Sequence, residues 1–263
     1  MQMKISELKS SEKKILLFDI ETAPNLGYIW GKYEQDVIAF KEHWYIISFA
    51  WKWMGEKNSY VKALNDFKGY KIGEANDKEL VKLLWSLFNQ ADIIIAHNGN
   101  SFDIRKANAR FLKHNLQPPS PYKSIDTLLI ARRYFKMDSN KLDDLGDYFG
   151  IGRKLQTGGF QLWLGCIAGE KKSWTKMKSY NKHDVILLEK VYMRLRSWNT
   201  THPDLNLIYN TINNCPVCRS KKIIADKVIR TKTTRWQSYK CLECGAFHKD
   251  RIIKSDNWEK VTK

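Results

Sequence analysis

With 263 residues, 43% of them hydrophobic, the chain can form one large domain or a main domain with a small appendage. Its formal charge of +17 is uneven: Lys171–Lys263 carries 21 basic against 8 acidic side chains, leaving 24 against 20 for the first 170 residues. A basic C-terminal part points to a polyanion, nucleic acid ahead of an anionic membrane, and the lack of any run of about 18 apolar residues argues against a membrane-spanning helix.

The start, Met1–Ser6, has no apolar core of a secretory signal. Four of the five cysteines form two C-x-x-C pairs, a spacing suited to metal rather than to a disulfide framework. A reducing, cytoplasmic setting is the expectation.

Ile15-Leu16-Leu17-Phe18-Asp19-Ile20-Glu21-Thr22, bounded by Lys13-Lys14 and Pro24-Asn25, reads as a buried strand. Alternation along a strand turns Asp19 and Glu21 to one face. Two adjacent carboxylates there repel and lose hydration unless cations neutralise them or the strand end is solvated. Further strands are expected over Tyr28–Trp30, Trp44–Trp53 and Ser59–Leu64, with a turn at Met54–Asn58. Leu80, Leu83, Leu84, Leu87 and Phe88 give Asp77–Asn89 a helical period, with Asp77 as its N-cap.

Asp92–Ala96 is a short buried strand running into the His97-Asn98-Gly99-Asn100 turn and a helix from Phe102 to His114. Pro118-Pro119 breaks the chain before a brief strand, Lys123–Thr127, and a helix to Phe135. Leu142–Phe149 reads as a helix, Gly150–Gly169 as a Gly-rich loop, and Ser173–Trp198 as a long helix. Consecutive strands followed by alternating strands and helices make an α/β fold, a mixed sheet flanked by helices.

Two more acids fall in suitable places. Asp103 stands at a helix start beyond a buried strand, where such sheets open their ligand-binding edge, although the helix dipole alone favours an acid there. Asp184 and Tyr180 are four apart on one face of the long helix, a face continued by Leu187 and Leu188. Asp19, Glu21, Asp103 and Asp184 would hold two Mg²⁺ or Mn²⁺ ions roughly 3.5–4 Å apart, the arrangement for in-line attack on a phosphodiester. Tyr180, with an ordinary pKa of about 10, suits positioning a water better than deprotonating it.

Asp19-x-Glu21, Asn98-x-x-x-Phe102-Asp103 and Tyr180-x-x-x-Asp184, in that order, resemble the three motifs of the DEDD superfamily of 3′–5′ exonucleases. The tyrosine places the resemblance with the subgroup that includes the proofreading domains of family-B DNA polymerases, over residues 13–198. It implies an RNase H-like fold, two metal ions bound by those four acids, cleavage from a 3′ end, and a contact from Thr22 to the terminal nucleotide. The related histidine subgroup has His five residues before its last Asp; here that position is Ser179, and His183 is expected on another face. Asn98 either orients Asp103 or makes the turn, Asp126 lies near the site or caps a helix, and His97 reads as a turn residue. Asp143, Asp144 and Asp147 read as a solvated helix face.

Cys215, Cys218, Cys241 and Cys244 form C-x₂-C-x₂₂-C-x₂-C, the pattern of a zinc ribbon with one structural Zn²⁺. Cys166 reads as a small buried residue. Between the pairs, Arg230, Lys232, Arg235, Trp236 and Tyr239 interleave charge and rings on an expected hairpin, which suits phosphates and unpaired bases, although zinc ribbons also bind proteins.

The expected organisation is an exonuclease domain over residues 1–199 and a linker with zinc ribbon over 200–263. The expected activity is 3′–5′ hydrolysis of nucleic acid, single-stranded DNA ahead of RNA, with a DNA polymerase or other replication or repair protein as a candidate partner and no membrane. The alternatives are an RNA-trimming enzyme of the same fold and a non-catalytic adaptor.

Overall fold

A computed structural model describes residues 15–33 and 36–252; Met1–Ser6 and Lys13-Lys14 lie outside them. Two compact units divide between Tyr192 and Met193, inside the long C-terminal helix. No helix among the described residues is long and apolar enough to cross a membrane.

In the first unit β1 (Ile15–Thr22) leads into a ribbon of β2 (Leu26–Tyr28) and β3 (Ala39–Glu42), then β4 (Ile46–Trp53) and β5 (Tyr60–Ala63). Next come α1 (Lys78–Gln90), β6 (Ile93–Ala96), α2 (Asp103–Lys113) and β7 (Lys123–Asp126). The helices α3 (Thr127–Tyr134), α4 (Leu142–Tyr148), α5 (Gln161–Ile167) and α6 (Lys171–Leu195) complete it. One mixed sheet runs in the order β5-β4-β1-β6-β7. Its first three strands are antiparallel neighbours, whereas β1, β6 and β7 run parallel. The carboxyl ends of those three strands therefore share one edge. On one face of β1, Leu16, Phe18 and Ile20 are buried. Phe18 meets Phe88 of α1 edge-on at 4.9 Å, and Phe88 meets Phe111 of α2 at 5.5 Å.

Three expectations shift. The strand read at Tyr28–Trp30 ends at Tyr28, and its partner β3 carried no legible signal because it is short and mostly exposed. Its arms approach so closely that a Cβ on Gly27 would come within 2.3 Å of Val37. The Gly-rich stretch contains α5, whose Gly165 admits α6: a Cβ there would meet Ser173 Oγ at 2.2 Å. That glycine marks a close helix approach rather than a loop.

Asp77 precedes α1, but its side chain makes no cap bond. It is fully buried and accepts from Ile46 N–H at 2.9 Å, Arg110 Nε at 2.7 Å and His114 Nε2 at 2.6 Å. One carboxylate thus ties β4 to α1 and α2. Asp77→Ala leaves the Arg110 guanidinium buried and unpaired, an expected loss of about 3–5 kcal/mol, read as a fall of about 10 °C in Tm.

The second unit carries α7 (Leu205–Tyr209), in the segment read as a connection, and an antiparallel sheet of β8 (Ile223–Arg230), β9 (Arg235–Cys241) and β10 (Phe247–Arg251). The expected hairpin is β8–β9, and β10 is an addition to it. Its core is small: Cys215, Val217, Cys241 and Ala246.

Candidate active site

Strand alternation sets the site. Asp19 and Glu21 project from β1 on the face opposite Phe18, and α6 brings Asp184, fully buried, to the same place. Carboxylate oxygens of these three residues all lie within 4.8 Å of one another. Asp103 belongs to the cluster less closely: it stands outside that mutually close trio, its Oδ1 accepting the Ile20 N–H at 3.3 Å. Asn181, one turn before Asp184, donates through Nδ2 to Asp19 Oδ2 at 2.6 Å while its Oδ1 accepts from Ser48 Oγ at 2.7 Å. That buried relay from β4 fixes the Asp19 carboxylate.

Burial and mutual repulsion act together on the acids. Burial, then the charges of Asp103, Glu21 and Asp184, hold the Asp19 carboxyl well above the usual range. Burial followed by Asp184 pushes Glu21 up to about 8, and burial raises Asp103 to about 7 against the opposing Ile20 amide. Burial also raises Asp184, with Lys154 pulling the other way.

Lys154, a residue not singled out in the sequence, supplies the counter-charge. Its Nζ donates to Asp184 Oδ2 at 2.6 Å and to the Tyr180 hydroxyl at 3.1 Å. Burial opposes its charge, but Asp184, Asp19 and Tyr180 outweigh that and keep it an ammonium. The acids of α4 position this segment. Arg153 Nη2 pairs with Asp143 at 3.1 Å, Nη1 with Asp147 at 3.3 Å, and Lys154 N–H donates to Asp143 Oδ1 at 2.7 Å. His183 donates to the Arg153 carbonyl at 2.8 Å and so holds the same segment.

The turn after β6 is knit by Asp126, which accepts from Asn98 N–H at 2.9 Å and Asn100 N–H at 3.1 Å while capping α3 through Leu128 N–H at 3.0 Å. Asn98 adopts φ 64°, so it makes the turn. His97 is a structural histidine: its Nε2 donates to the Asn140 carbonyl at 2.9 Å, and burial lowers its pKa to about 4.

The acid cluster suits a divalent cation. It offers hard oxygen donors, its charges repel, and Asp184 Oδ1 is buried without a hydrogen bond. A cavity of about 550 Å³ is lined by Thr22, Trp44, Phe102, Lys106, Phe160 and Trp163. There Lys106 Nζ lies 4.1 Å from the Trp44 ring centroid, 4.8 Å from that of Phe102, and donates to Thr22 Oγ1 at 3.2 Å. A second cavity, about 590 Å³, includes His97, Asn98, Arg132, Lys141 and Lys154.

In the second unit the four sulfurs of Cys215, Cys218, Cys241 and Cys244 lie within 4.8 Å of one another, two pairs at 3.6 Å. A tetrahedron with metal–sulfur bonds of about 2.3 Å has edges of about 3.8 Å, and a disulfide would need about 2.05 Å. The two knuckles match: Arg219 and Gly245, each following a second cysteine, both have positive φ and donate to the carbonyl of the first. Burial opposes ionisation of Cys241, but the amides of Cys244 and Glu243 outweigh it and bring the thiol to about 7. Cys166 is buried in the first unit, its thiol pushed up to about 12 by burial. Along β9, Trp236 faces one way and Arg235 and Tyr239 the other; Arg230 lies opposite Arg235, and Lys232 is in the turn between them.

Comparison with known proteins places these features. A DNA polymerase III of PolC type from Ureaplasma parvum serovar 3 (strain ATCC 700970) is 32% identical over 134 residues, 48% of this chain and 9% of that protein. The family B DNA polymerase from the hyperthermophilic archaeon Pyrobaculum calidifontis has a similar fold, with TM-score 0.51 and 14% identity over 75% of this chain and 27% of that one. The chain therefore corresponds to a small part of either protein's length. Residues 16–196 match the family model of the RNase H superfamily. That match takes in every strand of the five-stranded sheet and all three acid-bearing segments, and the chain belongs to the RNase H superfamily.

Proposed function

We propose that the chain is a metal-dependent 3′–5′ exonuclease acting on single-stranded DNA, with a domain boundary near residues 199/200 and a zinc ribbon beyond it. The observation that carries the reading is the convergence of Asp19, Glu21 and Asp184, with Asp103 beside them, around a buried oxygen lacking a partner. Those four acids would hold Mg²⁺ or Mn²⁺. Bound there, the cations would supply Lewis-acid stabilisation of the charge that develops on a phosphodiester under attack.

The chain's own groups do the rest. Asn181 and Ser48 keep Asp19 aimed at the cluster. The Tyr180 hydroxyl, whose pKa is raised by burial and by Asp184, stays protonated and orients the attacking water. Lys154 balances the acids through its bonds to Asp184 Oδ2 and the Tyr180 hydroxyl. The aromatic cavity receives the terminal nucleoside between rings, Thr22 contacts its sugar, and Lys106 adds a cation beside it. The 3′ polarity rests on the resemblance of the three motifs. The PolC-type and family B likenesses support a replication setting in which a polymerase is a candidate partner, and the C-x-x-C spacing, suited to metal rather than to disulfides, supports a reducing cytoplasm.

A 5′-labelled single-stranded oligonucleotide with Mn²⁺ is expected to give a ladder of single-nucleotide steps. Asp19→Ala and Asp184→Ala should slow it about 10³-fold; an undiminished ladder ends the assignment. A matched RNA oligonucleotide cut faster than the DNA replaces the substrate, and binding without metal-dependent cleavage favours the adaptor.

Unfolded glutamate releases its proton near the ordinary 4.5, whereas folding holds Glu21 protonated up to about 8, so its ionisation opposes folding as pH rises between those values. At pH 8 without Mg²⁺ or Mn²⁺, Glu21→Gln should raise Tm by about 2–4 °C per kcal/mol relieved, while the same variant loses activity when Mn²⁺ is restored. In the ribbon, elemental analysis should give one zinc per chain, and Cys241→Ser should abolish it.

A further inference from the structure

The second unit carries a surface that its cysteine framework does not explain. Register along β9 and β10 pairs Lys240 with Phe247, Ser238 with Lys249 and Trp236 with Arg251, and the members of each pair share a face. The five large side chains therefore stand together on one side of the sheet. Lys249 Nζ lies 4.8 Å from the Trp236 ring centroid, and Lys240 Nζ 5.9 Å from that of Phe247. Phe247 is 58% exposed although it is large and apolar. The indole N–H of Trp236 is already used by Thr234 Oγ1 at 2.9 Å, leaving its ring as the recognition surface.

The opposite side is different. It holds Tyr239, whose ring stacks on His248 at 5.2 Å, with Gln237 paired to Asp250. The paired residues on the Trp236 side include no acid, and in the bulge of β8 opposite Ser238 Asp226 is accompanied by Lys227. Three cations and two rings on β9 and β10 complement a ligand that is both anionic and aromatic.

We propose that this face, made by Trp236, Lys240, Phe247, Lys249 and Arg251, binds an unpaired nucleic-acid strand. Bases stack on Trp236 and Phe247, and Lys240, Lys249 and Arg251 meet the phosphates between them. A duplex keeps its bases stacked on one another, so the two rings have no use for it; a single strand presents open faces. The proposal deepens the exonuclease reading by giving that substrate a second grip, but it stands on binding alone.

The test measures affinity of the full chain for a fluorescein-labelled 30-nucleotide single strand, with Ca²⁺ replacing Mg²⁺ and Mn²⁺, across a salt series. Trp236→Ala with Phe247→Ala should weaken binding about tenfold or more, and more on the single strand than on a blunt duplex. Lys240→Ala, Lys249→Ala and Arg251→Ala together should reduce the log–log salt slope by about 2. Zinc content is measured for each variant. Should the aromatic variant lose zinc, the charge variant, which alters exposed side chains only, carries the test. Parental affinity and slope, an equal aromatic loss on the duplex, or an equal effect from Gln237→Ala with Asp250→Ala on the other face would each overturn it. Because no hydrolysis is read, failure here leaves the exonuclease reading to the Asp19 and Asp184 variants.

Discussion

Carboxylates gathered in a buried edge of a sheet repel each other more strongly than they would in water, and the first unit is organised around containing that repulsion. Asp19 and Glu21 have no freedom to separate, because strand alternation places them two residues apart on one face. Asp184 is equally constrained by the helix that also buries Leu187 and Leu188. The relief within the chain is Lys154, whose ammonium reaches Asp184 Oδ2 and the Tyr180 hydroxyl. It neutralises one charge of several, and Asp184 Oδ1 still lacks a partner. A cluster in that condition favours added cations.

Around the acids lies a layer of polar groups with paired hydrogen bonds. Ser48 and Asn181 set Asp19; Asp126 ties the turn that delivers Asp103; Asp143 and Asp147 hold Arg153, and through it Lys154. Each of these links joins different secondary-structure elements, so the site's geometry is inherited from the packing of β1, β4, β6, β7, α4 and α6. Asp77 acts likewise at a distance, clasping β4 to α1 and α2 with no part in the chemistry. Its buried carboxylate is paired with the Arg110 guanidinium and hydrogen-bonded by His114, whereas the acids of the cluster are not matched in full.

What could be read from the sequence follows from this division. Signals confined to a few residues were legible: the alternation in β1, the Asn-Gly turn, the four-residue spacing of Tyr180 and Asp184, and the paired cysteines. Groups whose role depends on a distant partner were not. Lys154 meets Asp184 thirty residues away, Asn181 meets Asp19 across 162, and Asp77 meets Arg110 across 33. Nothing local distinguishes them from other lysines, asparagines and helix-capping aspartates. The acids of α4 read as a solvated face because they are partly exposed, yet they organise the Lys154 segment. Gly165 misled in a similar way, since glycine for close helix contact and glycine for a loop look alike along the chain. In the ribbon, β10 and its Phe247, Lys249 and Arg251 lie beyond the last cysteine, where the spacing of the ligands carries no information.

The two units solve one electrostatic problem in different chemical terms. Both gather ionisable donors whose burial opposes their charge, and both hold them in place with the surrounding backbone. The ribbon's buried core is four residues, two of them cysteines, so its sheet depends on what the sulfurs bind, and soft thiolates hold a tetrahedral ion tightly. Arg219 accepts a left-handed backbone at the first knuckle, where the second uses Gly245, which shows how far the ligand geometry dominates local preference. The acid cluster has hard oxygen donors, a large hydrophobic core behind it, and a lysine that shares the work of neutralisation. Its fold does not depend on the ion in the same way. On the proposed reading, a permanent ion would suit a scaffold, and exchangeable ions would suit a site that admits and releases a charged strand at every turnover.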